Sequence, residues 1–260
     1  MLNGVRGSTV FGVVLGIALL VSLLNSLGNR GEGRRDVQNS DVRGEGGMVS
    51  ETREVGEFSA ISLAGVGDVT VSLGNGPGLV VRAPENVLGA LKTRVEDDTL
   101  NIRVARRAKL PMRRSISYRV TTPSLERLEL TGAGDIHAEK VAGDDVALSL
   151  NGSGNLYVEE VQTDDLEVNL SGEGDIQLSG RAAEQSVSVS GVGNYRACRL
   201  ESEDAEVTVS GVGDALVRVS ESLDAAVSGV GSVRYQGSPE VAAEVSGVGS
   251  VAASGSCNQN

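Results

Sequence analysis

The sequence predicts an all-β fold: a β-solenoid, wound as a β-helix from short parallel strands. Three observations carry this reading. Gly-x-Gly recurs at Gly65/Gly67, Gly132/Gly134, Gly152/Gly154, Gly172/Gly174, Gly191/Gly193, Gly211/Gly213, Gly229/Gly231 and Gly247/Gly249. From Gly132 onward the first glycines are 20, 20, 19, 20, 18 and 18 residues apart. Around each copy apolar and polar residues alternate, which is the period of a strand. Two residues before the first Gly stand Leu63, Leu130, Leu150, Leu170, Val189, Val209, Val227 and Val245. Two residues after the second stand Val69, Ile136, Leu156, Ile176, Tyr195, Ala215, Val233 and Val251. One such unit cannot bury its apolar face alone, but units stacked about 4.8 Å apart can. Propeller blades need about 40–45 residues, so this period argues against one. An antiparallel meander is the alternative arrangement of the same strands.

Composition agrees. The 260 residues include no Trp, six aromatics and 35 Gly, so the core must be filled by Val, Leu, Ile and Ala. That suits thin repeated layers. In chain order, the twenty uncharged residues 8–27, "STVFGVVLGIALLVSLLNSL", follow Arg6 and are long enough for a hydrophobic helix that crosses a bilayer or directs export. Residues 1–27 are therefore read as a signal peptide or membrane anchor. Residues 28–50, rich in Gly and charge, read as a flexible linker. Residues 51–256 form the β-helix and 257–260 a tail. Strand-like runs at 57–63, 69–73, 78–83, 99–104 and 115–122 make the first coils, with one longer excursion around Arg103–Arg119. Polar segments 143–145, 163–165 and 202–204 read as turns that close each coil. The 18-residue spacings and the change to Ala225 and Ala243 suggest a narrowing C-terminal end.

The repeat raises the question of chemistry. Gly247-Val248-Gly249-Ser250-Val251-Ala252 formally matches a dinucleotide fingerprint. That motif requires a following helix to face the phosphates, whereas here a strand follows every copy. The residue after the second Gly reads Asp68, Asp135, Asn155, Asp175, Asn194, Asp214, Ser232 and Ser250. Calcium β-rolls use a nonapeptide with paired glycines, which is absent. A structural ladder fits better: stacked carboxylates about 5 Å apart would repel, and alternating Asn amides can donate to the carboxylates on either side. The single histidine, His137, reads as a surface residue, and one His without a nucleophile elbow makes no triad. Tyr157, Tyr195 and Tyr235 are the only rings of the repeat half, a poor supply for a sugar-stacking cleft. No catalytic, cofactor-binding or metal-binding residue is assigned, and no cofactor is expected.

Several segments in order, "FSAISLAGVGDVTVSLG", "LVVRAPENVLGALKTRVEDDTLNI", "TTPSLERLELTGAGDI" and the serial "LSGEGDI"-type corners, resemble the bacterial head GIN domain family of adhesin-like proteins. The resemblance covers about residues 55–256. It implies a right-handed parallel β-helix, an extracytoplasmic location and homo-oligomeric, trimeric association. It brings no catalytic residues. The late "SGVGS" corners lack the family's usual acidic residue.

Charge bounds the partners. Residues 131–260 hold six basic and 21 acidic residues, a net charge of −15. Nucleic acid would be repelled. Residues 103–119, "RVARRAKLPMRRSISYR", hold seven cations in seventeen. They read as a solvated loop, or as a segment that docks on the acidic face of a neighbouring protomer or on an anionic surface. Two cysteines, Cys198 and Cys257, leave pairing open. The leading expectation is a non-enzymatic, extracytoplasmic interaction or structural module. It would bind a surface glycan or envelope component, and the membrane through residues 8–27 if these are retained. A carbohydrate-active enzyme on the same scaffold and a self-assembling solenoid are the alternatives.

Overall fold

The computed structural model describes residues 46–105 and 116–255. The segment expected to form an N-terminal hydrophobic helix, residues 28–45 of the expected linker, and Arg106, Arg107, Lys109, Arg113 and Arg114 of the basic run lie outside the described residues. So does Cys257 with the tail. Within the described residues no helix is long and apolar enough to cross a membrane.

In chain order, β1 (Met48–Arg53) precedes the first coil, formed by β2 (Ala60–Ala64) and β3 (Asp68–Leu73). β4 (Gly78–Pro84), the short helix α1 (Glu85–Leu88) and β5 (Leu91–Glu96) follow, then β6 (Thr99–Val104) and β7 (Ser117–Thr122). β8 (Arg127–Leu130), β9 (Ile136–Ala142), β10 (Asp145–Leu150) and β11 (Leu156–Leu170) resume the coils. β12 (Ile176–Val189), β13 (Tyr195–Val209), β14 (Ala215–Val227), β15 (Val230–Gln236), β16 (Glu240–Val245) and β17 (Val248–Ala253) complete them. From β8 to β15 each strand pairs in parallel with the coils on either side, and β16 and β17 pair in parallel with the coil before them. The chain is thus an all-β parallel solenoid, as its periodicity predicts.

The N-terminal coils do not stack in chain order. β2 pairs in parallel with both β6 and β8, and β3 with both β7 and β9. The coil made by β6 and β7 therefore lies beneath the first coil, and β8 and β9 lie above it. Antiparallel pairing then closes that end: β5 on β6, β4 on β7 and β1 on β4. The β5–β6 hairpin turns through Asp97 and Asp98, both at positive φ (48° and 58°), as a twisted two-residue hairpin requires. β1 begins at Met48, within the segment read as linker.

Inward residues form continuous columns. Leu128, Leu148, Val168, Val187, Val207 and Ala225 are in register on successive coils and all are buried. Each buried Val or Leu contributes about 1.5–3 kcal/mol. The last coil is different: Val245, whose counterparts Val209 and Val227 are buried, is 45% exposed, because nothing described lies beyond β16.

One expectation needs correction. Residues 163–165 and 202–204 are not turns; they lie within β11 and β13. Pairing to adjacent coils runs on through both segments, with a register shift between Ser202 and Asp204 in the second. The two corner glycines also serve different needs. A Cβ on Gly191 would lie 2.1 Å from the Gly172 carbonyl oxygen of the coil beneath, so close backbone approach, not φ, excludes a side chain there. Gly193 has φ +157° as well as a neighbouring carbonyl oxygen 1.7 Å from such a Cβ.

Candidate functional site

At the glycine corner the polar column supports the fold. Asn155 Nδ2 donates to Asp135 Oδ1 at 3.0 Å, and Asn194 Nδ2 donates to Asp175 Oδ1 at 2.8 Å. The same oxygens also accept the backbone N–H of Asn155 (2.8 Å) and Asn194 (2.9 Å). In the other direction Asn155 Oδ1 accepts the Asp175 N–H at 3.0 Å, and Asn194 Oδ1 the Asp214 N–H at 3.1 Å. Each Asn amide therefore reaches a carboxylate on one side only, and the backbone supplies the donor on the other. Arg196 pairs with Asp175, and Arg234 with Asp214 at 3.3 Å. Burial acts to raise the Asp175 carboxyl. Hydrogen bonds from the Asn194 side chain, Arg196 and the Asn194 backbone outweigh it, helped by the Arg196 charge, and hold it below the usual range. Asp175 and Asp214 of the column thus each have an arginine partner. Among the described residues no group of three or more His, Cys, Asp or Glu is placed to hold a metal ion.

The other distinctive side chains are also committed. His137 is exposed, as expected; its Nε2 lies 2.7 Å from Glu159 Oε1. Tyr195 is fully buried, with its hydroxyl donating to Gln185 Oε1 at 3.0 Å, and burial pushes its phenol well up. Gln185 Nε2 in turn donates to Ser202 Oγ, whose hydroxyl donates to the Arg218 carbonyl at 3.0 Å. This buried polar chain was not foreseen: Ser202 was read as part of a turn, and Gln185 is a polar residue at an inward position, in register with Leu166 and Ala205. Cys198 is buried and disulfide-bonded. The sequence holds one other cysteine, Cys257.

What remains open is a lateral groove of about 690 Å³ that crosses several coils. Two columns line it. Asp145, Asp165, Glu184 and Asp204 are in register on β10 to β13. Beside them run Glu167, Ser186, Glu206 and Asp224. Arg127, at one end, is the basic residue of the lining. The floor is largely apolar, with Val146, Leu166 and Ala205 in one column that also holds the polar Gln185. Two of the acids have local polar partners: Asn169 donates to Glu167 at 2.8 Å, and Ser222 to Asp204. Among the described residues no Lys or Arg bridges any acid of these two columns. A second groove, of about 540 Å³, is by contrast charge-paired, with Arg218 3.1 Å from Glu201.

Fold and surface together define a class: an all-β parallel solenoid whose corner polar groups hold successive coils together, with an acidic trough left open on one flank. Residues 57–239 match the family described as "putative auto-transporter adhesin, head GIN domain", and the chain belongs to that family. Its solved relatives include a "putative adhesin" from Bacteroides fragilis, 29% identical with a TM-score of 0.77, covering 80% of this chain and 97% of that one. Another is a "putative adhesin" from Parabacteroides merdae (23% identical, TM-score 0.65, covering 81% of this chain and 98% of that one). A third, from Parabacteroides distasonis, is described as a "putative lipid binding protein" (23% identical, TM-score 0.63, with the same shares covered). The last two share the fold. No functionally curated protein matches the chain.

Proposed function

We propose that the chain is a non-enzymatic, extracytoplasmic, adhesin-like module that binds a surface glycan or other envelope component through its lateral faces. The observation that carries this reading is the groove's repetition. Its carboxylates recur coil after coil, whereas acid–base catalysis needs two carboxyl groups with different environments at one bond. A repeated row suits an extended partner held at many weak points. Family membership supports the adhesin-like role. The disulfide at Cys198 supports an oxidising compartment, and the apolar run 8–27 supports export, by cleavage or as an anchor.

The test is to apply the purified full chain to immobilised envelope fragments and to a panel of surface polysaccharides, following retention and product release together. Saturable retention without product release is expected. Release of oligosaccharides that is lost in Glu184→Gln or Asp204→Asn would overturn the reading in favour of a carbohydrate-active enzyme. Absence of saturable retention on every surface would remove the adhesin-like role.

A further inference from the structure

The acids of the groove's two columns have no Lys or Arg partner among the described residues, and the same sequence carries a cluster of cations. Residues 106–115, "RRAKLPMRRS", hold five cations and no acid. They join β6 to β7 and lie outside the described residues. We propose that this basic segment of one copy docks in the acidic groove of a second copy, so that the module self-associates side by side through charge.

Geometry decides that the contact joins two copies. The groove's centre, at Glu184, is five coil steps from β6, through β2, β8, β10, β11 and β12. At about 4.8 Å per coil this is roughly 24 Å along the stack. Ile102 stands in the column of Leu63, Leu130, Leu150, Leu170 and Val189. Glu184 is five residues before Val189 on β12, so it lies about 17 Å back along the strands. The two offsets combine to roughly 29 Å, and Ala105, where the segment starts, lies beyond that column. A ten-residue segment tied at both ends reaches about half its extended length, roughly 17–18 Å. It therefore falls short of its own groove's centre.

Chemistry agrees. The groove offers carboxylates at each successive coil over an apolar floor, and the segment offers paired arginines on either side of Leu110, Pro111 and Met112. Arginine is the cation best matched to carboxylates at an interface. Asp175 and Asp214 of the corner ladder and Glu201 of the second groove have arginine partners, whereas the acids of this groove's two columns have none among the described residues. The contact is heterologous, loop to groove, and closes as a reciprocal pair or as a ring of three.

The experiment uses the full chain in a nonionic detergent, which masks residues 8–27, with mass in solution as the readout. One variant carries Arg106→Glu, Arg107→Glu and Arg113→Glu; the other carries Asp165→Lys, Glu184→Lys and Asp204→Lys. The unmodified chain should form dimers or trimers at low salt, and association should weaken at least about tenfold between roughly 50 and 500 mM salt. Each variant alone should be monomeric, and an equimolar mixture of the two should associate again. Recovery on mixing cannot come from misfolding of either variant. An unmodified chain that stays monomeric at low salt, variants that associate like it, or a mixture that fails to recover overturns the proposal. Because envelope binding plays no part in this assay, its outcome is separate from that of the adhesin-like role.

Discussion

Replacing Asn155 and Asn194 together by Asp should destabilise the solenoid strongly, and the loss should depend on salt. Each substitution removes an amide donor that now sits 3.0 Å or 2.8 Å from a carboxylate oxygen. A hydrogen bond to a charged group is worth about 1.5–3 kcal/mol, and these half-buried sites belong at the low end, about 3 kcal/mol for the two. The substitutions also make an unbroken row of Asp135, 155, 175, 194 and 214, with four new like-charge contacts about 5 Å apart. At the dielectric of a wet surface each costs just under ~1 kcal/mol. Arg196 and Arg234 offset part of that, leaving a total of about 4–6 kcal/mol. For a domain of this size the melting temperature should fall by roughly 10–15 °C at low ionic strength. Salt near 1 M, where the screening length is about 3 Å, should restore much of the Coulomb part and none of the hydrogen-bond part. Thermal unfolding followed by circular dichroism, with and without calcium, measures all of this. An unchanged or raised melting temperature without added calcium would refute the ladder, and recovery only with calcium would turn the column into a metal site.

Two further outcomes follow from the corner. Gly191→Ala places a Cβ 2.1 Å from the Gly172 carbonyl oxygen, and no side-chain rotation relieves a clash with backbone. The coils must part, weakening the Val192 N–H to Gly172 oxygen and Gly191 N–H to Leu170 oxygen bonds, for a loss of about 2–4 kcal/mol in urea unfolding. Gly56→Ala, with nothing within 4 Å, is the matched control and should change stability by less than about 1 kcal/mol. Asp175 governs acid sensitivity: its folded pKa lies below its unfolded one, so its contribution is complete above about pH 4 and is lost as pH falls through the folded value. Urea midpoints measured from neutral pH downward should decline below that point, and Asp175→Asn should flatten the decline.

The inward columns were legible because strand alternation and the glycine spacing fix the phase of every coil. Leu63 to Val227 and Val69 to Val233 are buried where that phase places them. The corner ladder was legible for the same reason, although the sequence does not say that the Asn amides face one way. The groove was missed. Its acids were read as turn residues or as dispersed surface charge, yet Asp145, Asp165, Glu184 and Asp204 each stand seven residues before the next corner glycine. Counting from the glycines would have aligned them. Nothing in the sequence marks the stacking of β6 and β7 beneath β2 and β3. Either side of the first coil offers the same backbone ladder, and only the short β5–β6 hairpin and the antiparallel β4 and β1 commit the chain to one of them.

That commitment bears on how copies can meet. End-on growth of a solenoid needs two open parallel edges in matching phase, so that the last coil of one copy continues into the first coil of the next. Among the described residues the C-terminal edge is open: β16 and β17 pair on one side only, with β14 and β15. The N-terminal end is not, because antiparallel β1, β4 and β5 interrupt the parallel ladder, and β5 carries Lys92, Arg94 and Glu96 along its free edge. A second copy meeting that edge finds strands running the wrong way and charges in place of a corner glycine column. Filament growth by stacked coils is therefore blocked at one end in every copy. The association proposed through the flank uses neither end and engages the row of carboxylates that have no Lys or Arg partner among the described residues.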